Sequence, residues 1–248
     1  MDEKQLAAID RLLPTVEKPA RYIGGEMNTS IKPRRKETAA FAFCFPDSYE
    51  VAMSHLGMKI LYHILNKQPD MLCERVMMPW VDMMGHMRRE DIPLFSLESR
   101  TALRDFDIVG FTLQYEMSFT NVLEMLDLGK IPVLSSARAE DDPIVIAGGP
   151  CAFNPEPLTP FIDCFVIGDA ETAIVEVTRL IKTMRLEEKP RRDILEALCG
   201  IEGCYVPSLY EAGYHEDGTL AAFTPLSPKA PATIRKRLEL DLEMLDDP

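Results

Sequence analysis

No apolar run in this chain approaches the roughly 18 residues that a bilayer-crossing helix needs, and the charged opening Met1-Asp2-Glu3-Lys4 has no signal-peptide core. Both absences predict a cytoplasmic chain with no membrane partner. Cationic excess is lacking too. Forty Asp and Glu against 27 Lys and Arg leave a formal charge of −13, whereas affinity for nucleic acid rests on clustered basic side chains. Nucleic acid is set aside as a partner; a small anion held by backbone amides is not. None of the six cysteines stands in C-x-x-C spacing and no three lie close together, so no short turn offers the soft ligands of a zinc or iron–sulfur site. They read as reduced, buried thiols. Also missing are a G-x-G-x-x-G after the first strand, a G-x-x-x-x-G-K-[ST] loop and a nucleophile elbow. A self-sufficient nucleotide-using enzyme or hydrolase has nothing to rest on.

What is present is an alternation of short apolar runs and helical periods. The first 37 residues form a polar arm: a helix from Glu3 to Leu13, the Gly24-Gly25 turn, then the basic stretch Lys32-Pro33-Arg34-Arg35-Lys36, read as solvated. From residue 38 to 190 strands are predicted at Phe41–Phe45, Cys73–Met78, Asp107–Thr112, Ile144–Ala147 and Cys164–Ile167. Helices are predicted from Tyr49 to Leu65, Trp80 to Glu90, Ser118 to Leu128 and Ala170 to Met184, with Ile92 to Leu97 as a short extended piece. Five apolar strands, most followed by a helix, predict an α/β doubly wound, Rossmann-like parallel sheet with helices on both faces. Residues 191–248 are expected to add a helix (Arg191 to Leu198), a hairpin pairing Cys204–Leu209 with Leu220–Phe223 around Asp217-Gly218, and a proline-rich linker that ends in acidic residues.

In an open parallel sheet ligands settle beyond the carboxyl ends of the strands. That rule selects Asp47 and Ser48 after the first strand, Thr112, Gln114, Tyr115 and Ser118 after the third, Gly148, Gly149 and Pro150 after the fourth, and Gly168 with Glu171 after the fifth. Glycines there let backbone approach a bulky ligand. His55 and Gly57 stand near the start of the first crossover helix; as a metal ligand His55 would need an orienting carboxylate, for which Asp47 or Glu50 is available. Glu171 suits the dipole of the last long helix as a cap. Met77, Met78, Met83, Met84 and Met87 with Trp80 form a dense apolar patch, mostly core filling.

The same loops carry a resemblance. Tyr22-Ile23-Gly24-Gly25-Glu26, Phe45-Pro46-Asp47-Ser48-Tyr49, Met53-Ser54-His55-Leu56-Gly57, Gly110-Phe111-Thr112-Leu113-Gln114, Ala147-Gly148-Gly149-Pro150, Asn154-Pro155-Glu156-Pro157 and Gly168-Asp169-Ala170-Glu171 together resemble the N-terminal cobalamin-binding-like region of a family of radical-SAM proteins. The resemblance implies a domain that holds a corrinoid over the strand ends, with Gly148, Gly149 and Pro150 along the nucleotide tail or corrin edge and Thr112 close by. It implies as partner a barrel of the same parent chain that carries an iron–sulfur cluster and S-adenosylmethionine. That barrel is recognised by C-x-x-x-C-x-x-C, which is absent from these 248 residues, so the parent is expected to be the enzyme and this piece a non-catalytic holder of cobalamin. The alternative is a degenerate scaffold that docks the barrel with an empty crevice. The D-x-H-x-x-G pattern of histidine-on-cobalt domains does not fit: Met53 stands where the aspartate belongs and Gly57 comes one position early. Cobalamin without a protein histidine ligand is the expectation.

Overall fold

The computed structural model describes residues 1–239; the acidic end of the expected linker lies outside them. Seven helices and eight strands follow one another as α1 (Glu3–Leu12), β1 (Ala39–Phe45), α2 (Tyr49–Ser54), α3 (Leu56–Lys67), β2 (Met71–Met77), α4 (Val81–Glu90), β3 (Ile108–Thr112), α5 (Phe119–Leu128), β4 (Ile144–Gly148), β5 (Cys164–Val166), α6 (Ala173–Leu186), α7 (Arg191–Leu198), β6 (Cys204–Tyr205), β7 (Tyr210–Tyr214) and β8 (Leu220–Pro225). Six strands form one sheet in the order β2-β1-β3-β4-β5-β6, parallel except for β6, which runs antiparallel to β5.

The strands are continuous apolar runs because both faces are covered. Every residue of β1, β2, β3 and β5 is buried. On one face α3 packs on β2 and against α6, which also touches β1; on the other α4 packs against α5. Phe41, Phe45 and Phe165 are the largest fully buried side chains, each contributing about 1.5–3 kcal/mol relative to exposure. Chain order reverses direction between β1 and β3, the topological switch point of a 2-1-3-4-5 sheet, where crossovers to either side leave a crevice at the carboxyl ends.

Three expectations are corrected. The helix from Tyr49 is broken at His55, whose extended backbone ends α2 and whose ring caps α3. Cys204–Tyr205 joins the main sheet as a sixth strand, and the hairpin pairs Tyr210–Tyr214 with Leu220–Pro225 instead. The piece from 92 to 97 carries an isolated bridge between Phe95 and Ala102. Half of the basic stretch is anchored rather than solvated: Lys32 Nζ donates to the carbonyls of Asn66, Gln68 (2.8 Å) and Met71 (3.0 Å), closing the end of α3, and Arg34 donates to the Asp105 carbonyl.

The rest of the arm is also tied down by charge. Arg21 pairs with Glu50 of α2 and lies 5.0 Å over the Trp80 ring. Glu26 accepts from the Tyr49 hydroxyl and sits 3.6 Å from Arg75, a buried cation that also pairs with Glu98 at 2.6 Å and stacks on Tyr62. Just before β5, Asp163 Oδ2 accepts from Arg138, Arg191 and the Val145 amide, so this buried carboxylate is compensated by two cations. These networks position elements.

Candidate functional site

A cleft of about 230 Å³ opens at the carboxyl ends of β3, β4 and β5 and runs down between the sheet and the α3–α6 layer. Its floor and walls are apolar: Phe41 and Phe43 of β1, Ile60, Leu61 and Leu65 of α3, Ile146 of β4, Val166 of β5 and Ile174 of α6. Polar groups gather at its mouth: His55, Thr112, Gln114, Asp169 and Glu171, interleaved with Gly57, Gly148, Gly149 and Gly168. An apolar cleft with a few convergent polar atoms at its mouth is the usual form of a small-ligand site.

The mouth is held by backbone geometry. Gly149 sits at φ 98° and ψ 179°, a region that only glycine enters without strain. A Cβ there would stand 2.8 Å from the Leu113 carbonyl oxygen and 3.2 Å from Gln114 Nε2. Leu113 N donates to Gly148 O at 2.7 Å and Cys151 N to Leu113 O at 3.1 Å, which fastens the loop after β3 to the loop after β4. Gln114 Nε2 donates to Thr112 Oγ1 at 2.6 Å, leaving the Thr112 hydroxyl proton and the Gln114 carbonyl oxygen for a ligand. Gly168 has a different reason. At φ 106° its Cβ position lies 2.1 Å from the Arg237 carbonyl oxygen, so its bare face receives a returning strap of chain. Arg237 N donates to Ile167 O and Asp169 N to Arg237 O, while the Arg237 side chain reaches Thr172 and Glu176 at 2.7 Å.

His55 is fixed from inside. Its Nδ1 accepts the Met58 amide at 3.1 Å and its ring lies 5.3 Å from that of Phe45. A Cβ on Gly57 would come within 3.0 Å of the ring. Neither expected carboxylate orients it. Asp47 accepts from Ser48 N and from the Tyr115 hydroxyl, the latter bond pushing the Tyr115 phenol upward. Glu50 accepts from Arg21 and Lys18. Among the described residues no three His, Cys, Asp or Glu side chains are arranged to hold a metal ion.

Of the residues expected at a site, His55, Gly57, Thr112, Gln114, Gly148, Gly149, Gly168 and Glu171 line the cleft. Asp47, Ser48, Tyr115 and Pro150 do not; the first three form their own cluster beside the mouth and Pro150 opens a short 3-10 turn. Among the described residues Glu171 makes no capping hydrogen bond; the N-cap position of α6 is Thr172, whose side chain makes none either. The apolar walls were not singled out from sequence, although the alternation Phe41, Phe43 and the α3 period Leu61, Leu65 carry the signal. Met77, Met83 and Met87 are core, and Trp80 lies under Arg21, away from the cleft.

A family profile described as "Radical SAM proteins, N-terminal" matches residues 57–207, and the chain belongs to that family. It is also similar to "Uncharacterized protein MJ0966" of Methanocaldococcus jannaschii, 26% identical over 132 residues, which is 52% of this chain and 24% of that protein. The matched part thus spans about a quarter of its relative. No solved structure matches the chain significantly.

Proposed function

We propose that this domain is the cofactor-holding N-terminal module of a radical-SAM protein and that its cleft takes a corrinoid, cobalamin, without a protein histidine on the metal. The observation that carries the reading is the cleft itself: glycine-rimmed, apolar in depth, and placed at the strand ends of a chain of this family. A bound corrinoid supplies a cobalt centre for methyl or electron transfer. The residues of this chain bind and shield it. Phe41, Phe43, Ile60, Leu61 and Ile174 offer a dry slot to an aromatic base. Gly148 and Gly149 hold the loops after β3 and β4 together, while Thr112 and Gln114 supply one donor and one acceptor. On this reading the chain binds the cofactor and the chemistry belongs to the parent protein.

The test is uptake. Purified domain mixed with hydroxocobalamin and desalted should keep the visible corrinoid bands in about equimolar amount. A folded protein that emerges colourless overturns the reading. One observation favours a second reading, a docking scaffold for the radical-SAM barrel: Val81 at the first residue of α4, Met117 in the turn before α5 and Phe153 in the turn after β4 are 65, 87 and 61% exposed. That reading expects a colourless protein that still binds a separately produced barrel, weakened by Met117→Glu.

A further inference from the structure

His55 has a hydrogen-bonding pattern opposite to that of a metal ligand. A coordinating imidazole donates its second ring N–H to a carboxylate or carbonyl and presents a lone pair to the metal. Here Nδ1 instead accepts the Met58 amide at 3.1 Å, so its lone pair is in use and the ring proton sits on Nε2. Asp47 and Glu50, the carboxylates near enough in sequence to reverse this, are held by Ser48, Tyr115, Arg21 and Lys18. Nε2 has no partner among the described residues, and the half-buried ring lines the cleft. The opposite side of the mouth has the complementary character: Glu171 lines it with no hydrogen bond or ion pair of its own among the described residues, and Asp169 lies beside it, accepting from Glu239 N.

We infer that His55 is a specificity residue: a hydrogen-bond donor, through Nε2, to the phosphodiester of the corrinoid's nucleotide loop. The inference rests on the corrinoid reading and adds an orientation to it. The phosphodiester, which only accepts, faces His55. The primary amides around the corrin edge, which donate, face Glu171. Charge-assisted hydrogen bonds of this kind change affinity by about 10- to 100-fold.

The experiment compares hydroxocobalamin with cobinamide, which lacks the nucleotide loop, in phosphate-free buffer, on the whole domain and on His55→Asn. Asparagine is a strong N-cap, so its carbonyl keeps the α3 cap while its short side chain withdraws the donor; an unchanged urea midpoint reports that the fold is kept. The expected result is a loss of tenfold or more in cobalamin affinity with cobinamide affinity unchanged. Equal losses for both ligands, or no loss, overturn the inference and leave the corrinoid reading standing. A wild-type protein that binds neither ligand overturns both. The unaltered protein offers an independent arm: the cob(II)inamide complex should show no nitrogen superhyperfine splitting in its EPR spectrum. Splitting from a protein nitrogen there makes His55 a cobalt ligand and ends the inference.

Discussion

At the scale of single residues, Gly149 is the position where backbone and site meet most tightly. Its dihedral angles exclude other residues, and its missing Cβ is replaced by the Leu113 carbonyl and Gln114 amide. Gly149→Ala therefore combines a strained backbone of about 1–3 kcal/mol with displacement of the loop that holds Gln114. The expected outcome is a urea midpoint lowered by at least 1 kcal/mol equivalent and cobalamin uptake reduced further than stability alone explains. A variant as stable as the parent contradicts the geometry. The glycines were legible in the sequence as places where backbone comes close to something. What comes close was not: at Gly149 it is the neighbouring loop, and at Gly168 a strap from nearly 70 residues onward, a contact with no local trace. Glu171 shows the converse, since its position before a helix suggests a cap that the side chain does not make.

At the scale of elements, helix and strand periods marked every strand of the parallel sheet, because strands buried on both faces leave an unbroken apolar signature. The break between α2 and α3 was hidden. Val51, Leu56, Ile60 and Leu61 keep helical spacing across it, and only the histidine cap interrupts the ladder. Two-residue β6 is too short for any periodicity and was absorbed into a hairpin. The packing of the N-terminal arm against α2 yields a pH prediction. Hydrogen bonds from Arg21, then Lys18, hold the Glu50 carboxyl down at about 2, against an ordinary 4.5. A carboxyl lowered in the folded state stabilises fully above its unfolded value and loses that contribution as pH falls toward its folded one. Glu50 is 44% exposed, so the worth of the pair is cut by solvent to about 0.2–1 kcal/mol. Glu50→Gln should lower the urea midpoint at pH 6 and match the parent near pH 2. A gap that persists at pH 2 assigns the effect to packing on Trp80 instead.

At the scale of the whole molecule, the loop after β5 is fastened by chain that arrives last. After β8 the backbone returns across the fold, Leu226 N donating to Leu209 O, and residue 237 joins the sheet in parallel beside Gly168. The end of the described chain thereby stands at the mouth: Glu239 N donates to Asp169 at 2.8 Å, and Glu239 accepts from Thr172. The loop after β5, the residue before α6 and the strap are thus one hydrogen-bonded unit, so whatever moves the strap moves Asp169. The bond between Asp169 N and Arg237 O, 3.0 Å long, makes this measurable. Gly168→Ala places a methyl where the Arg237 carbonyl stands and strains a φ of 106°, and the least costly response is release of the strap, since β4 and β5 are buried and cannot yield. Amide hydrogen exchange at Asp169 and Arg237 should accelerate at least tenfold in this variant, while the amides of β1 and β3 stay protected. Uniform acceleration throughout the sheet would mean that residue 168 supports the core rather than the strap, and the coupling between the cleft and the departing chain would lose its structural basis.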